Sequence, residues 1–242
     1  MPEQDEAERN AVDRGAADPG VALIVGAGPG FSGSVARKLA ARGMSIALAS
    51  RKPKPQEAEA IAARSYAFDA GDAAATARLF AEVERDLGPP SFVMYNPSAR
   101  VRAPLVDLVA DDVERAIRVT AFGGFLVAQE AVKRMLPLGG GRILLTGATA
   151  SVKGMPQSAA FAMGKFALRG LAQSMARELQ PQGIHTLHVV IDGAIASPAR
   201  TPASPDAHLD PDAIADAALA ALDLPRSAWS WEIEVRPWVE RF

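Results

Sequence analysis

The chain has 242 residues, 49% of them hydrophobic, with 26 basic against 28 acidic side chains and a formal net charge of -2. That balance gives no long-range positive field for gathering phosphate backbones, and no basic cluster with interleaved aromatics occurs, so no nucleic-acid partner is expected. There is no cysteine and there are only three histidines, His185, His188 and His208, which excludes disulfides and thiolate chemistry; no metal is expected, and the histidines are read as packing or surface residues.

Residues 1–20, MPEQDEAERNAVDRGAADPG, are charged and lack the apolar stretch of a signal peptide, and they are read as a flexible N-terminal tail. No apolar run is long enough to span a bilayer, so a cytoplasmic protein with no membrane partner is expected. From 21 to 242 short β-type runs alternate with alanine-rich helical segments, the pattern of a single α/β domain. The runs VALIV, SIALAS, SYAF, SFVMYN, GRILLTG, HTLHVVID and WEIEVRP read as seven strands. Helices are expected near 32–42, 56–63, 73–86, 111–136, 158–180 and 211–222. Asp72 supplies an N-cap, and Arg42-Gly43 and the LGPP run end helices by glycine and proline. The fold class expected is α/β, a doubly wound, mostly parallel seven-stranded sheet with helices on both faces. The segment 196–212, ASPARTPASPDAHLDPD, follows the sixth strand and is expected to form a cover loop over a cleft at the carboxyl edge of the sheet.

VALIVGAGPGFSGSVARKLAARG joins the first strand to the first helix through a glycine-rich turn, which lets backbone approach a pyrophosphate seated on the helix N-terminal amides. With Gly26 and Gly30 at this spacing the chain resembles the short-chain dehydrogenase/reductase family, from about residue 21 to about residue 195, and the resemblance implies a Rossmann fold that binds a nicotinamide dinucleotide. The family's third glycine is Ser32 here, with Gly28 and Gly33 keeping the turn glycine-rich. The resemblance places Gly26, Gly30, Phe31 and Ser32 around the phosphates, and the Ser32 hydroxyl is expected to donate to one of them. Arg51 and Lys52 stand where an NAD-specific relative carries a carboxylate. A guanidinium there pairs with a 2′-phosphate, so NADP is expected over NAD. FDAGD resembles the adenine-binding turn, giving Asp69 and Ala70; YNPSA keeps Asn96 of the family's asparagine run; Gly193 and Ile195 fall at the nicotinamide end.

In that family a tyrosine is the general acid/base, and a lysine four residues on lowers its pKa and binds the nicotinamide ribose. Lys165 matches the lysine, but the tyrosine position is Phe161, which has no ionisable proton. Thirteen residues earlier, where a serine would hold the substrate oxygen, stands Ala148, with Thr149 one residue away as the candidate replacement; Thr120 takes the place of the relay asparagine, and Asp192 brings a carboxylate near the nicotinamide pocket. A positioned acid or base contributes about 100- to 10,000-fold in rate, so hydride transfer survives its loss if Thr149, a water held by Lys165 or the substrate itself meets the oxyanion. Two functions stay open: an atypical NADP(H)-dependent oxidoreductase of a small carbonyl or hydroxyl compound, and a cofactor-binding pseudoenzyme acting as sensor or partner subunit. A third is a cleft that no longer binds dinucleotide. The long helices around 111–136 and 158–180 carry more apolar residues than one buried stripe needs, so a homodimer or homotetramer is expected.

Overall fold

The computed structural model describes residues 20–197, 200–202 and 204–240; of the expected tail, 1–19 lie outside the described residues. In chain order the elements are β1 Val21–Val25, α1 Phe31–Ala41, β2 Ser45–Ser50, α2 Pro55–Glu59, β3 Arg64–Ala67, α3 Ala73–Leu87, β4 Pro90–Tyr95, α4 Ala110–Ile117 and α5 Gly123–Met135. After them come β5 Gly141–Thr146, α6 Ala159–Leu179, β6 Ile184–Ile191, β7 Ala194–Ile195, β8 His208–Leu209, α7 Pro211–Leu222 and β9 Glu232–Val235. Seven strands form one sheet in the order β3-β2-β1-β4-β5-β6-β9, and every neighbouring pair is parallel. Parallel strands need crossover helices, and both faces of the sheet are therefore covered.

Alternation along each strand divides the core in two. Leu23, Val25, Val93, Ile143 and Leu145 face α3, α5 and α6, whereas Ala22, Ile24, Met94, Leu144 and Leu187 face α1 and α7. The strand order reverses between β1 and β4. Chain leaving those two strands diverges to opposite sides, opening a crevice at their carboxyl ends where such sheets bind ligands.

Helix ends follow the expected punctuation at three places. Asp72 accepts from the Ala75 N–H at 2.7 Å, and Gly43 and Gly88 take φ of 88° and 103° at the ends of α1 and α3. Two expected helices differ. The one expected over 56–63 is only α2, because Ala62 enters the left-handed region at φ 52° and unwinds it. The one expected over 111–136 is broken by a π-helical turn at Arg118–Phe122 that separates α4 from α5. Of the expected cover loop, 196–212, residues 198, 199 and 203 lie outside the described residues. β7 and β8 pair at its base, and α7 starts at Pro211 under the Asp210 cap, whose carboxylate accepts from the Asp212 N–H at 2.9 Å. Among the described residues no helix is long and apolar enough to cross a membrane.

Candidate active site

The crevice begins with the turn after β1. Gly26 has φ +81°, and a Cβ there would stand 2.8 Å from Pro97 Cδ, so only glycine lets the two loops touch. Asn96 fastens them: its side-chain amide donates to the Gly26 carbonyl at 3.0 Å and its backbone N–H to Val25 at 2.9 Å. Beyond this clasp, Cβ atoms built at Gly28 and Gly30 would meet nothing within 4 Å. α1 starts at Gly30 with no side-chain cap. Its first-turn N–H groups at Phe31, Ser32 and Gly33 have no intrahelical acceptor, so the open space could hold an anion.

Two residues of this turn act differently from expectation. The Ser32 hydroxyl accepts from the Gly28 N–H at 3.1 Å and lies 3.2 Å from the Gly26 carbonyl, so it braces the loop from inside and its proton is not offered to a phosphate. Close packing of loop on helix is done one residue later, at Gly33, where a Cβ would fall 2.5 Å from the Gly28 carbonyl oxygen. Phe31 turns its ring into the core, leaving only its backbone N–H for a ligand. Arg51 and Lys52 are exposed beyond β2, as is Asp69 after β3, with Ala70 half-buried beside it. A cavity of about 360 Å³ next to Gly28 and Pro29 takes Arg37 and Lys54 in its wall. Those two are already paired, with Asp212 at 2.9 Å and Glu57 at 2.6 Å.

A larger cavity of about 1050 Å³ lies at the carboxyl ends of β4, β5 and β6 and brings together Asn96, Thr149, Lys165, Gly193 and Ile195, with Phe161 and Ala148 also in its wall. Lys165 is 2% exposed and donates to the Thr146 carbonyl at 2.5 Å. Burial, and then the neighbouring Arg100 guanidinium, draw its pKa down to about 7. One turn earlier on the same helix face is Phe161, whose ring centroid lies 5.9 Å from the Lys165 Nζ and 4.4 Å from the Arg100 guanidinium carbon. The Thr149 hydroxyl donates to Asp192 at 2.6 Å, so in this arrangement it can accept a further bond but has no proton left to give.

Behind the cavity wall is a polar chain that sequence reasoning missed. Ser151 accepts from the Ala148 N–H at 3.1 Å and lies 3.4 Å from His188 Nε2. His188 Nδ1 is 2.9 Å from Glu232, which Arg169 grips with two bonds of 2.7 Å. His188 and Glu232 are direct partners across β6 and β9, a pairing no local signal discloses. Burial lowers the His188 pKa to about 4 against the opposing pull of Glu232, so the ring is neutral at pH 7. Burial works against the Glu232 carboxylate, but the Arg169 and His188 bonds outweigh it and hold its pKa low. His185 is buried too, stacked on Trp229 at 4.4 Å.

Thr120 does not serve as a relay residue. It is fully buried in the π turn, its hydroxyl accepts from the Ala99 N–H at 3.1 Å, and Gly164 of α6 packs so closely that a Cβ there would fall 2.8 Å from it. Neither tyrosine replaces the phenol. Tyr95 is buried with its hydroxyl on the Val119 carbonyl, and burial, then Asp69, raise its pKa. Tyr66 sits on the edge strand, bonded to Asp86 at 3.2 Å.

With this geometry in view, the sequence model for short chain dehydrogenases matches residues 20–208. The chain belongs to the short-chain dehydrogenase family. This family member is 35% identical over 187 residues to versicolorin reductase 1 of Aspergillus parasiticus, covering 74% of this chain and 70% of that protein. It is 30% identical over 187 residues to L-2,3-butanediol dehydrogenase of Corynebacterium glutamicum, covering 73% and 72%. A solved short-chain dehydrogenase from Rhodopseudomonas palustris superimposes with TM-score 0.79 at 29% identity, over 91% of this chain and all of that one (100%). A gluconate 5-dehydrogenase from Burkholderia cenocepacia, solved with NADP and tartrate, gives TM-score 0.79 at 25% identity over 94% and 97%. The family and these relatives make the chain an oxidoreductase-family protein related to reductases and dehydrogenases of small molecules.

Proposed function

We propose that this short-chain dehydrogenase is an NADP(H)-dependent oxidoreductase that exchanges hydride with a small carbonyl or hydroxyl compound, with Lys165 in place of the usual tyrosine as the proton-exchanging group. The observation that carries the reading is a buried lysine of pKa about 7 in the wall of the large cavity. A dinucleotide fits the groups present: open space at Gly28 and Gly30 before an uncapped helix for the pyrophosphate, and Arg51 and Lys52, exposed and without an ion-pair partner among the described residues, for a 2′-phosphate. The gluconate 5-dehydrogenase solved with NADP lends the same preference. When bound, NADPH supplies a hydride for the substrate carbon. The chain's own part is at the oxygen: in reduction the Lys165 ammonium gives it a proton, and in oxidation the neutral amine takes one back. Thr149 accepts a hydrogen bond and thereby orients a substrate hydroxyl, while Asn96 keeps the two loops of the crevice in register.

NADPH fluorescence titration, followed by NADPH consumption with a panel of aldehydes, ketones, imines and enones, tests this. Saturable binding with turnover of at least one compound is the expected result, and Arg51→Ala should weaken NADPH about tenfold while leaving NADH unchanged, the worth of one charge-assisted bond. Tight binding without any turnover favours the second reading, a cofactor-binding pseudoenzyme, which Phe161, Ala148 and the occupied Thr120 hydroxyl support together. No binding at all sinks both.

The same reading includes a homodimer or homotetramer. Phe122 and Phe125 stack at 6.1 Å and are 43% and 40% exposed; Met163 and Phe166 of α6 are 53% and 44% exposed. Light scattering at the mass of one chain would refute this assembly.

A further inference from the structure

The large cavity has a charge that the whole chain does not. Against a net charge of -2 for the protein, its wall carries Arg100, Arg102, Lys153, Arg200 and Lys165, facing only Asp192 and Glu240. One of those carboxylates is already engaged by the Thr149 hydroxyl at 2.6 Å. The cations come from separate stretches of chain: Arg100 and Arg102 from the segment after β4, Lys153 from that after β5, and Arg200 from the segment between β7 and β8. Among the described residues Arg100, Arg102 and Lys153 have no carboxylate partner. Unpaired cations gathered in one concave wall repel each other, and an anion in their midst relieves that repulsion.

Arg100 is also held in place. Its guanidinium lies 4.4 Å from the Phe161 ring centroid, and the residue before it is pinned by the Ala99 N–H bond to the buried Thr120 hydroxyl at 3.1 Å. Stacking on a ring leaves the in-plane N–H donors free, and a planar fork of that kind fits a carboxylate. The dinucleotide does not need these groups, because its phosphates belong at the other side of the crevice, at Gly28, Gly30 and Arg51. Beside the cations the cavity offers apolar surface from Met155, Pro156, Phe161 and Ile191.

We infer that the substrate is a carboxylate-bearing carbonyl or hydroxy compound, a small oxo or hydroxy acid, whose carboxylate is bound by Arg100 and Arg102. The inference rests on the oxidoreductase reading above and adds its substrate class. Placing the carboxylate at Arg100 sets the rest of the molecule over Phe161 and beside Lys165, on the wall where the proton is exchanged.

The test is calorimetric titration of the full chain, with and without saturating NADP, using matched pairs: pyruvate and methyl pyruvate, acetoacetate and methyl acetoacetate, levulinate and methyl levulinate, with hydroxyacetone phosphate as a further probe. The expected result is that at least one acid binds about tenfold or more tighter than its ester, the worth of one to two hydrogen bonds to a charged group. Arg100→Gln and Arg102→Gln, folded by circular dichroism, should each bring that acid back to the affinity of its ester. Esters binding as well as acids, hydroxyacetone phosphate binding in preference to every carboxylate, or both Gln variants binding acids as the natural protein does would overturn it. Acid binding by a protein that ignores NADPH sinks the cofactor reading and keeps the anion pocket; NADPH binding without discrimination between acid and ester sinks the anion pocket alone.

Discussion

Lys165→Met is expected to cut any carbonyl reductase turnover by at least about 100-fold and, at the same time, to make the protein more stable at neutral pH. The second effect follows from burial. Folding carries the Lys165 pKa from 10.5 to about 7, and at about 1.4 kcal/mol per unit this is an ionisation penalty on the order of 5 kcal/mol. Methionine fills a similar volume without a charge, but it leaves the Thr146 carbonyl without the donor 2.5 Å away, a loss of about 1–2 kcal/mol. The net gain is on the order of 3 kcal/mol. Its pH dependence has a definite sign. Below pH 7 lysine is charged in both folded and unfolded chains and the penalty is complete. Between 7 and 10.5 the unfolded lysine keeps its proton while the folded one has lost it, so the natural protein gains stability as pH rises and the advantage of methionine shrinks. Urea unfolding of both proteins at pH 6.5 and pH 10 measures it; an equal difference at the two pH values would mean that the ammonium is not buried.

Phe161→Tyr has the other large expected effect, an increase in carbonyl reduction of up to about 100-fold, the part of a positioned acid's usual worth that Lys165 does not already supply. The ring is 6% exposed yet forms part of the cavity wall, so the added hydroxyl is expected to reach the cavity. It would lie near Arg100 and Lys165, two cations that favour the phenolate and bring the phenol pKa toward the working range. The starting activity matters as much as the gain. A measurable rate in the natural protein followed by an increase shows an enzyme working by a slower route, whereas an increase from nothing identifies a scaffold that has lost its reaction. Stopped-flow measurement of NADPH oxidation separates them, and no gain in a variant that binds NADPH normally would place the defect elsewhere, at Ala148 or Thr120.

The fold was legible because its signals are local. The central strands are apolar runs, the edge strands β3 and β9 are bounded by turn residues, and Asp72, Gly43 and Gly88 act at the helix ends as their residue types announce. The placement of Lys165, Asn96, Thr149, Gly193 and Ile195 at the carboxyl edge was legible too, since motif spacing along a crossover pattern fixes which residues reach it. What sequence did not disclose depends on long-range placement. The roles of Ser32 and Gly33 exchange through a distance of ångströms between loop and helix. Thr120 is spent on Ala99 because a π turn rotates it inward. The pairing of His188 with Glu232 exists only because β9 docks beside β6. Arg100 and Arg102 carry no motif at all, and only the fold brings Lys153 and Arg200 from other segments to line the same cavity.

The proposed function rests on one ammonium, kept from water yet in the cavity wall, that would exchange the proton in place of a phenol. The direct measurement is the pH profile of kcat/KM, which reports the protein before substrate binds, in both directions between pH 5.5 and pH 9.5. Reduction should be level in acid and fall tenfold per unit above about pH 7, as the ammonium disappears, and oxidation should rise through the same midpoint to a plateau, as the amine forms. Profiles that are flat across this range, or that turn only near pH 10, would contradict it.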